Sequence, residues 1–180
     1  MDRDHDRADF IVSEQHIKGL KELNQFLQAL PVKIERNVLR GGLRAGATKE
    51  LLQEAQANLM SAGAVKTGEL IAGLKVKTRS RGGRVTATVT ATGKHAYIAR
   101  WIEYGVKPHN IPAKAGGFLA FMGIFARSVA HPGFAARPFL RPALDRSGGA
   151  AVVEAAKYMR AKLESKHGLN TADIAIGDEP

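Results

Sequence analysis

The chain has no cysteine, which removes disulfides, thiolate metal sites and cysteine nucleophiles together and suits a reducing cytosol. Long hydrophobic runs are also missing. The longest apolar stretches are about one strand long, too short to cross a bilayer. The first ten residues, Met1 to Phe10, alternate Asp, Arg and His around no apolar centre, so no signal peptide is readable. These absences predict a soluble, non-secreted protein without a membrane partner. Acids are scarce where they would matter most for catalysis. Between Leu70 and Leu144 the only acid is Glu103, against Lys75, Lys77, Arg79, Arg81, Arg84, Lys94, Arg100, Lys107, Lys114, Arg127, Arg137 and Arg141.

What remains is a basic chain of 180 residues, 44% hydrophobic, with a formal net charge of +10. That length and apolar content fit one domain with a core of its own. The organisation reads as a flexible N-terminal arm over 1–15, a single α+β domain over 16–167 with an irregular insert near 106–136, and a flexible tail over 168–180. The basic middle raises the local potential and draws polyanions, nucleic acid above all. It can equally face an acidic neighbouring subunit.

Ile17 to Leu30 carries the pattern of a short amphipathic helix, closed by Pro31. From Val32 to Met60, Ile34, Val38, Gly41-Gly42, Ala45, Leu52, Ala55 and Leu59 follow the helical period and predict a long helix with one buried stripe. Gly41, Gly42 and Gly46 weaken such a helix by roughly 1 kcal/mol each against alanine, so close helix approach or a bend is expected there. The middle is a β-hairpin. Leu74, Val76, Thr78 and Ser80 alternate with lysines and arginines, Val85, Ala87, Val89 and Ala91 alternate with threonines, and Gly82-Gly83 joins them. Closing that turn sets Val76 opposite Val89 and gathers Lys75, Lys77, Arg79, Arg81 and Arg84 on the other face, which is basic and wet. Tyr97 to Tyr104 reads as a short helix or strand with the only tryptophan, Trp101. Phe118 to Met122 and Ile124 to Val129 could form a second hairpin. The stripe Val152, Ala156, Met159 and Leu163 predicts a C-terminal helix ending near Gly168. The fold class is therefore α+β: long N-terminal helices and a C-terminal helix packed on a small antiparallel sheet built around the central hairpin.

Arg137-Pro138-Phe139-Leu140-Arg141-Pro142-Ala143-Leu144 reads as a stiff segment. Prolines four apart fix two backbone dihedrals and push Arg137 and Arg141 away from helical conformation, so an extended stretch is expected. Phe139 and Leu140 would anchor it in a packed site, within the chain or across a subunit boundary.

No catalytic constellation is readable in the chain. His5, His16, His95, His109, His131 and His167 lack metal-ligand spacing, and no carboxylate pair supports them. Glu103, alone in a basic region, is expected in an ion pair with Arg100 or with an arginine of another subunit. No catalytic, metal or cofactor site is expected, and no enzyme.

Three blocks in order carry a resemblance: Thr67-Gly68-Glu69-Leu70, then Tyr97-Ile98-Ala99-Arg100-Trp101-Ile102-Glu103-Tyr104-Gly105, then Arg137 to Leu144. Together with the long helix before them they resemble the neck, head–tail joining or tail-completion proteins of long-tailed bacteriophages, over roughly residues 17 to 166. The resemblance implies a structural virion protein, made in the host cytoplasm and placed at the head–tail interface. It implies a homo-oligomeric ring, hexamer or dodecamer, between head-closure or connector proteins and tail-tube or terminator proteins, with double-stranded DNA passing through its lumen. Lys75, Lys77, Arg79, Arg81 and Arg84 would then face the lumen or a partner. Trp101, Glu103, Tyr104, Arg137, Phe139, Leu140 and Arg141 would be assembly or packing anchors. The alternatives are a tail-terminator ring and a non-specific nucleic-acid-binding protein. The family's usual proline before T-G-x-L is replaced here by Ala64-Val65-Lys66.

Overall fold

Strict alternation of side chains and two adjacent glycines fix the element at the centre of the chain. In the computed structural model, which describes residues 17–63, 68–94, 96–114, 116–121, 123–171 and 176–178, strands β2 (Leu74–Arg81) and β3 (Arg84–Ala91) pair as expected. Gly82 and Gly83 adopt φ of 56° and 77°. Two consecutive positive values form the turn whose twist matches a hairpin, a conformation open to glycine at little cost. The expected arm over 1–15 lies outside the described residues, as do Thr67 of the first block, Ala64-Val65-Lys66 before it, and 172–175 and 179–180 of the expected tail.

The remaining elements, in chain order, are β1 (Ile17–Lys18), α1 (Leu20–Gln28), α2 (Val32–Gly46), a π-helical stretch (Ala47–Leu52) and α3 (Gln53–Ser61). Then come α4 (Glu69–Gly73), α5 (Ala96–Tyr104), β4 (His109–Pro112), β5 (Leu119–Phe121), β6 (Ile124–Ala126), β7 (Ser128–His131), α6 (Leu140–His167) and β8 (Gly177–Asp178). The class is α+β. Among the described residues the strands pair two by two: β1 with β8, β2 with β3, β4 with β7 and β5 with β6. The long helix expected over 32–60 forms, with one departure. Its middle, Ala47–Leu52, adopts i→i+5 turns, which interrupt the regular helical period between α2 and α3.

The backbone divides into two compact units. The first holds the described residues up to Glu54, Lys75–Thr90 and those from Ala143 on. Its core is Leu23 and Leu27 of α1, Val38 of α2, and Ala155, Ala156, Met159 and Leu163 of α6. Each fully buried leucine there contributes about 1.5–3 kcal/mol relative to exposure. At Pro31 the backbone is extended, with φ −53° and ψ 132°, and its carbonyl accepts the Ile34 and Glu35 amides that begin α2. Helix α6 ends as expected at Gly168, whose amide donates to the Glu164 carbonyl while that of Leu169 reaches back to Leu163. Beyond it Thr171 is buried and donates to the Glu164 carboxylate. That bond, and after it Arg160, holds the Glu164 carboxyl below its usual range.

The glycines of α2 let α6 approach to backbone contact. A Cβ added at Gly46 would stand 2.0 Å from the Ala151 carbonyl oxygen, and one at Gly42 2.8 Å from that of Ala155. Gly148 is also helical and buried, but a Cβ there would meet only Leu144 Cδ1 at 3.7 Å. The two positions should respond in opposite directions. Gly46→Ala should lower stability by about 1–3 kcal/mol, because overpacking against backbone outweighs the gain in helix propensity. Gly148→Ala should raise it by up to about 1 kcal/mol. Urea or thermal melts of the two variants read the sign directly.

The second unit holds Ala55–Leu74 and Ala91–Pro142. Within it the second hairpin forms as β5 with β6, and β4 with β7 makes a ladder from His109 opposite His131 to Pro112 opposite Ser128. No helix among the described residues is long and apolar enough to cross a membrane.

Candidate assembly and polyanion surfaces

Alternation along β2 and β3 leaves Lys75, Lys77, Arg79, Arg81 and Arg84 exposed, while Leu74 is buried and Val76, Val85 and Val89 are partly covered. Lys77 and Arg79 do not stand in open solvent alone. They line an open cleft of about 620 Å³ whose further walls are Arg40 and Arg44 of α2, with Val76, Thr78, Thr86, Thr88 and Thr90. No acidic side chain lines it. Arg40 and Arg44 were not among the expected site residues, although Arg36, Arg40 and Arg44 recur every four residues along α2, a spacing that sets them on one helical face. Arg44 also borders a neighbouring groove, where Lys49 Nζ lies 2.8 Å from the Glu154 carboxylate. The hydrogen bond to Glu154 raises the Lys49 ammonium above its usual range.

The three blocks of the resemblance meet within the second unit. Gly68, at φ 73°, starts α4, which packs on α5, and Gln56 Nε2 donates to the Ile71 carbonyl at 3.3 Å. On α5, Ala99, Ile102 and Glu103 form the buried side. Glu103 is only 7% exposed, and its carboxylate accepts three main-chain amides of the third block. Oε2 takes Phe139 N at 2.8 Å and Leu140 N at 2.9 Å, and Oε1 takes Arg141 N at 3.1 Å. The first amides of a helix have no partner inside it, and its N-terminus carries partial positive charge. An anion there satisfies both demands.

This geometry corrects two expectations. Glu103 does not pair with Arg100; its partners are backbone amides at the start of α6. The stretch between the prolines is not extended either, since Leu140, Arg141 and Pro142 are the first residues of α6. Proline is tolerated in a first turn because the N–H it lacks would have found no helical acceptor. The block is further tied by Arg137 N to the Ile102 carbonyl at 2.8 Å, Arg137 Nη1 to the Ala62 carbonyl at 3.0 Å, and Asn58 Nδ2 to the Phe139 carbonyl at 3.2 Å. Phe139 is fully buried and Leu140 partly so. Gly105 closes α5 at φ 73°, where a Cβ would stand 2.7 Å from Ala136 N, so both backbone shape and space require glycine.

The outer face of α5 is different. Tyr97, Trp101 and Tyr104 follow one another at helical spacing and remain 52%, 48% and 61% exposed. The Tyr97 and Trp101 rings meet edge to face at 4.8 Å, and the Arg141 guanidinium lies 5.9 Å from the centre of the Tyr104 ring. Of the six histidines, the β4–β7 register brings His109 and His131 into a stack at 5.1 Å. The His109 Nδ1 is bonded to the Lys107 carbonyl, and the His131 Nδ1 accepts the Gly133 amide. Among the described residues no cluster of three or more His, Asp or Glu side chains could hold a metal.

The hairpin with its basic exposed face, and the helix α5 that presents aromatics outward and a buried glutamate inward, lie together within one matched segment. Residues 21–105 match the HK97-gp10-like family. Its description reads "Bacteriophage HK97-gp10, putative tail-component". No curated protein and no solved structure matches the chain. The family match shows the resemblance drawn from the blocks, and it spans the first two of them, the five hairpin cations, Arg40 and Arg44, and Trp101, Glu103 and Tyr104. The third block, Arg137 to Leu144, lies beyond it. The match supports a structural, tail-related phage protein, with a place in the virion and contacts with other virion proteins.

Proposed function

We propose that the chain is a ring subunit of a tailed-phage neck, joining the DNA-filled head to the tail and surrounding the DNA exit channel. The observation that carries this reading is the outward aromatic face of α5 inside the segment matched by a tail-component family. Tyrosine, tryptophan and arginine are enriched where protein surfaces meet, and a contiguous exposed patch of them calls for a partner. Tyr97, Trp101 and Tyr104 are the contacts between neighbouring subunits or rings. The hairpin face with Lys75, Lys77, Arg79, Arg81 and Arg84 is turned to the lumen. Glu103, Phe139 and Leu140 keep the contact face in shape without touching the neighbour, and Arg137 and Arg141 flank it.

Particles made without this protein test the reading under the electron microscope. Full heads beside finished, unjoined tails are the expected result. Overlong tail tubes would show a terminator, and normal joined particles would remove the protein from the neck altogether. In complementation, Trp101→Ala should leave the isolated chain within about 1 kcal/mol of wild type, as surface substitutions do, yet fail to restore joined particles.

A further inference from the structure

We infer that the cleft between α2 and the β2–β3 hairpin binds the phosphodiester backbone of nucleic acid, with Arg40 and Arg44 as its second wall. The inference deepens the neck reading and rests on it for the identity of the nucleic acid as duplex DNA; the site itself rests on the cleft. Lys77 and Arg79 stand on one strand face, two residues apart, and Thr86 and Thr88 stand on the neighbouring strand. Side chains two apart on a strand repeat every ~7 Å, and those four apart on a helix every ~6 Å. Both spacings approach the separation of successive phosphates along one strand. The hydroxyls of Thr86 and Thr88 add uncharged donors between the cations.

The cations are available for this. Among the described residues, Lys49, Arg146 and Arg160 are held in ion pairs, whereas Arg40, Arg44, Lys77 and Arg79 have none. Four positive groups with no lining acid repel one another, and a polyanion relieves that repulsion while releasing its own counterions. No aromatic side chain lines the cleft, so base stacking is absent. Contacts limited to phosphate carry no sequence information and allow the nucleic acid to slide.

The test is fluorescence anisotropy of the full chain with two short duplexes of unrelated sequence, titrated over a range of salt. Both duplexes should bind equally, with an affinity that falls steeply as salt rises. Arg40 and Arg44 are exposed, so Arg40→Gln/Arg44→Gln should fold normally by circular dichroism. That double variant should bind about tenfold more weakly at ~0.1 M salt and lose about two units of the log–log salt slope. Lys157→Gln/Lys166→Gln, exposed on α6 and outside the cleft, removes the same charge and should change affinity by less than about threefold. Equal losses in the two double variants would reduce the effect to net charge and overturn the cleft. Binding of polyglutamate through Arg40 and Arg44, with no binding of duplex, would overturn it in favour of an acidic protein partner. Duplex binding through Arg40 and Arg44 by a protein whose absence leaves particles joined would uphold the cleft and reject the neck.

Discussion

Glu103→Ala is expected to destabilise the isolated chain by about 3–5 kcal/mol, a large part of the 5–15 kcal/mol that holds a typical domain together. Hydrogen bonds to a charged group contribute about 1.5–3 kcal/mol each, and Glu103 accepts three of them. They are not additive, because the three amides share one carboxylate and one helix end. Their loss leaves the amides of Phe139, Leu140 and Arg141 without acceptors in a region too covered for water to replace them all. At this chain length the effect corresponds to a fall in melting temperature of roughly 10–15 °C. Glu103→Gln keeps the size and one acceptor oxygen but turns an amide donor toward the other N–H groups, so it should lose about half as much. The measurement is a thermal melt of wild type and both variants. A melting temperature for Glu103→Ala within about a degree of wild type would overturn the cap.

Phe139→Ala should cost about 3–5 kcal/mol through a different route, the cavity left by an aromatic ring that is fully buried. Its main chain already serves two partners, giving its amide to Glu103 and accepting Asn58 Nδ2 at its carbonyl. Those bonds survive truncation only if the side chain no longer sets the position of the backbone. The double variant Glu103→Ala/Phe139→Ala should therefore lose less than the sum of the two, and urea melts of the four proteins give the coupling. The contrast with Trp101→Ala is the useful one. Phe139 acts within the chain, so its loss appears in the isolated protein before any assembly is attempted.

The hairpin was legible because a two-residue period and a Gly-Gly pair leave little freedom: β2 and β3 form over the alternating stretches, on either side of Gly82-Gly83. The end of α6 was legible from Gly168 for a similar reason. Its beginning was not. A residue before proline generally avoids helical conformation, but Arg141 lies in a first turn, and where that turn starts is decided by Glu103 from 36 residues away. The oddness of a single acid in a basic region was visible. Its partners were not, since they are peptide amides that no letter of the sequence distinguishes. Arg40 and Arg44 were plain as letters, but only packing shows that their side of α2 shares a cleft with Lys77 and Arg79. The stacking of His109 on His131 likewise depended on a β4–β7 register that no turn signal announced.

The segment between α5 and α6 starts and ends at the same place. Val106 and Phe134 exchange both main-chain hydrogen bonds at 2.9 Å, and Arg137 returns to Ile102 just below them. Everything from Lys107 to Pro132 thus leaves and re-enters through one doorway, closed by backbone and by Gly133, where a Cβ would stand 2.2 Å from the Val106 carbonyl oxygen. Lengthening a closed loop costs only about 0.6 kcal/mol for each doubling of its length. The arm is therefore an exchangeable cassette: it can be shortened, lengthened or replaced by a foreign segment while the cap on α6 stays as it is.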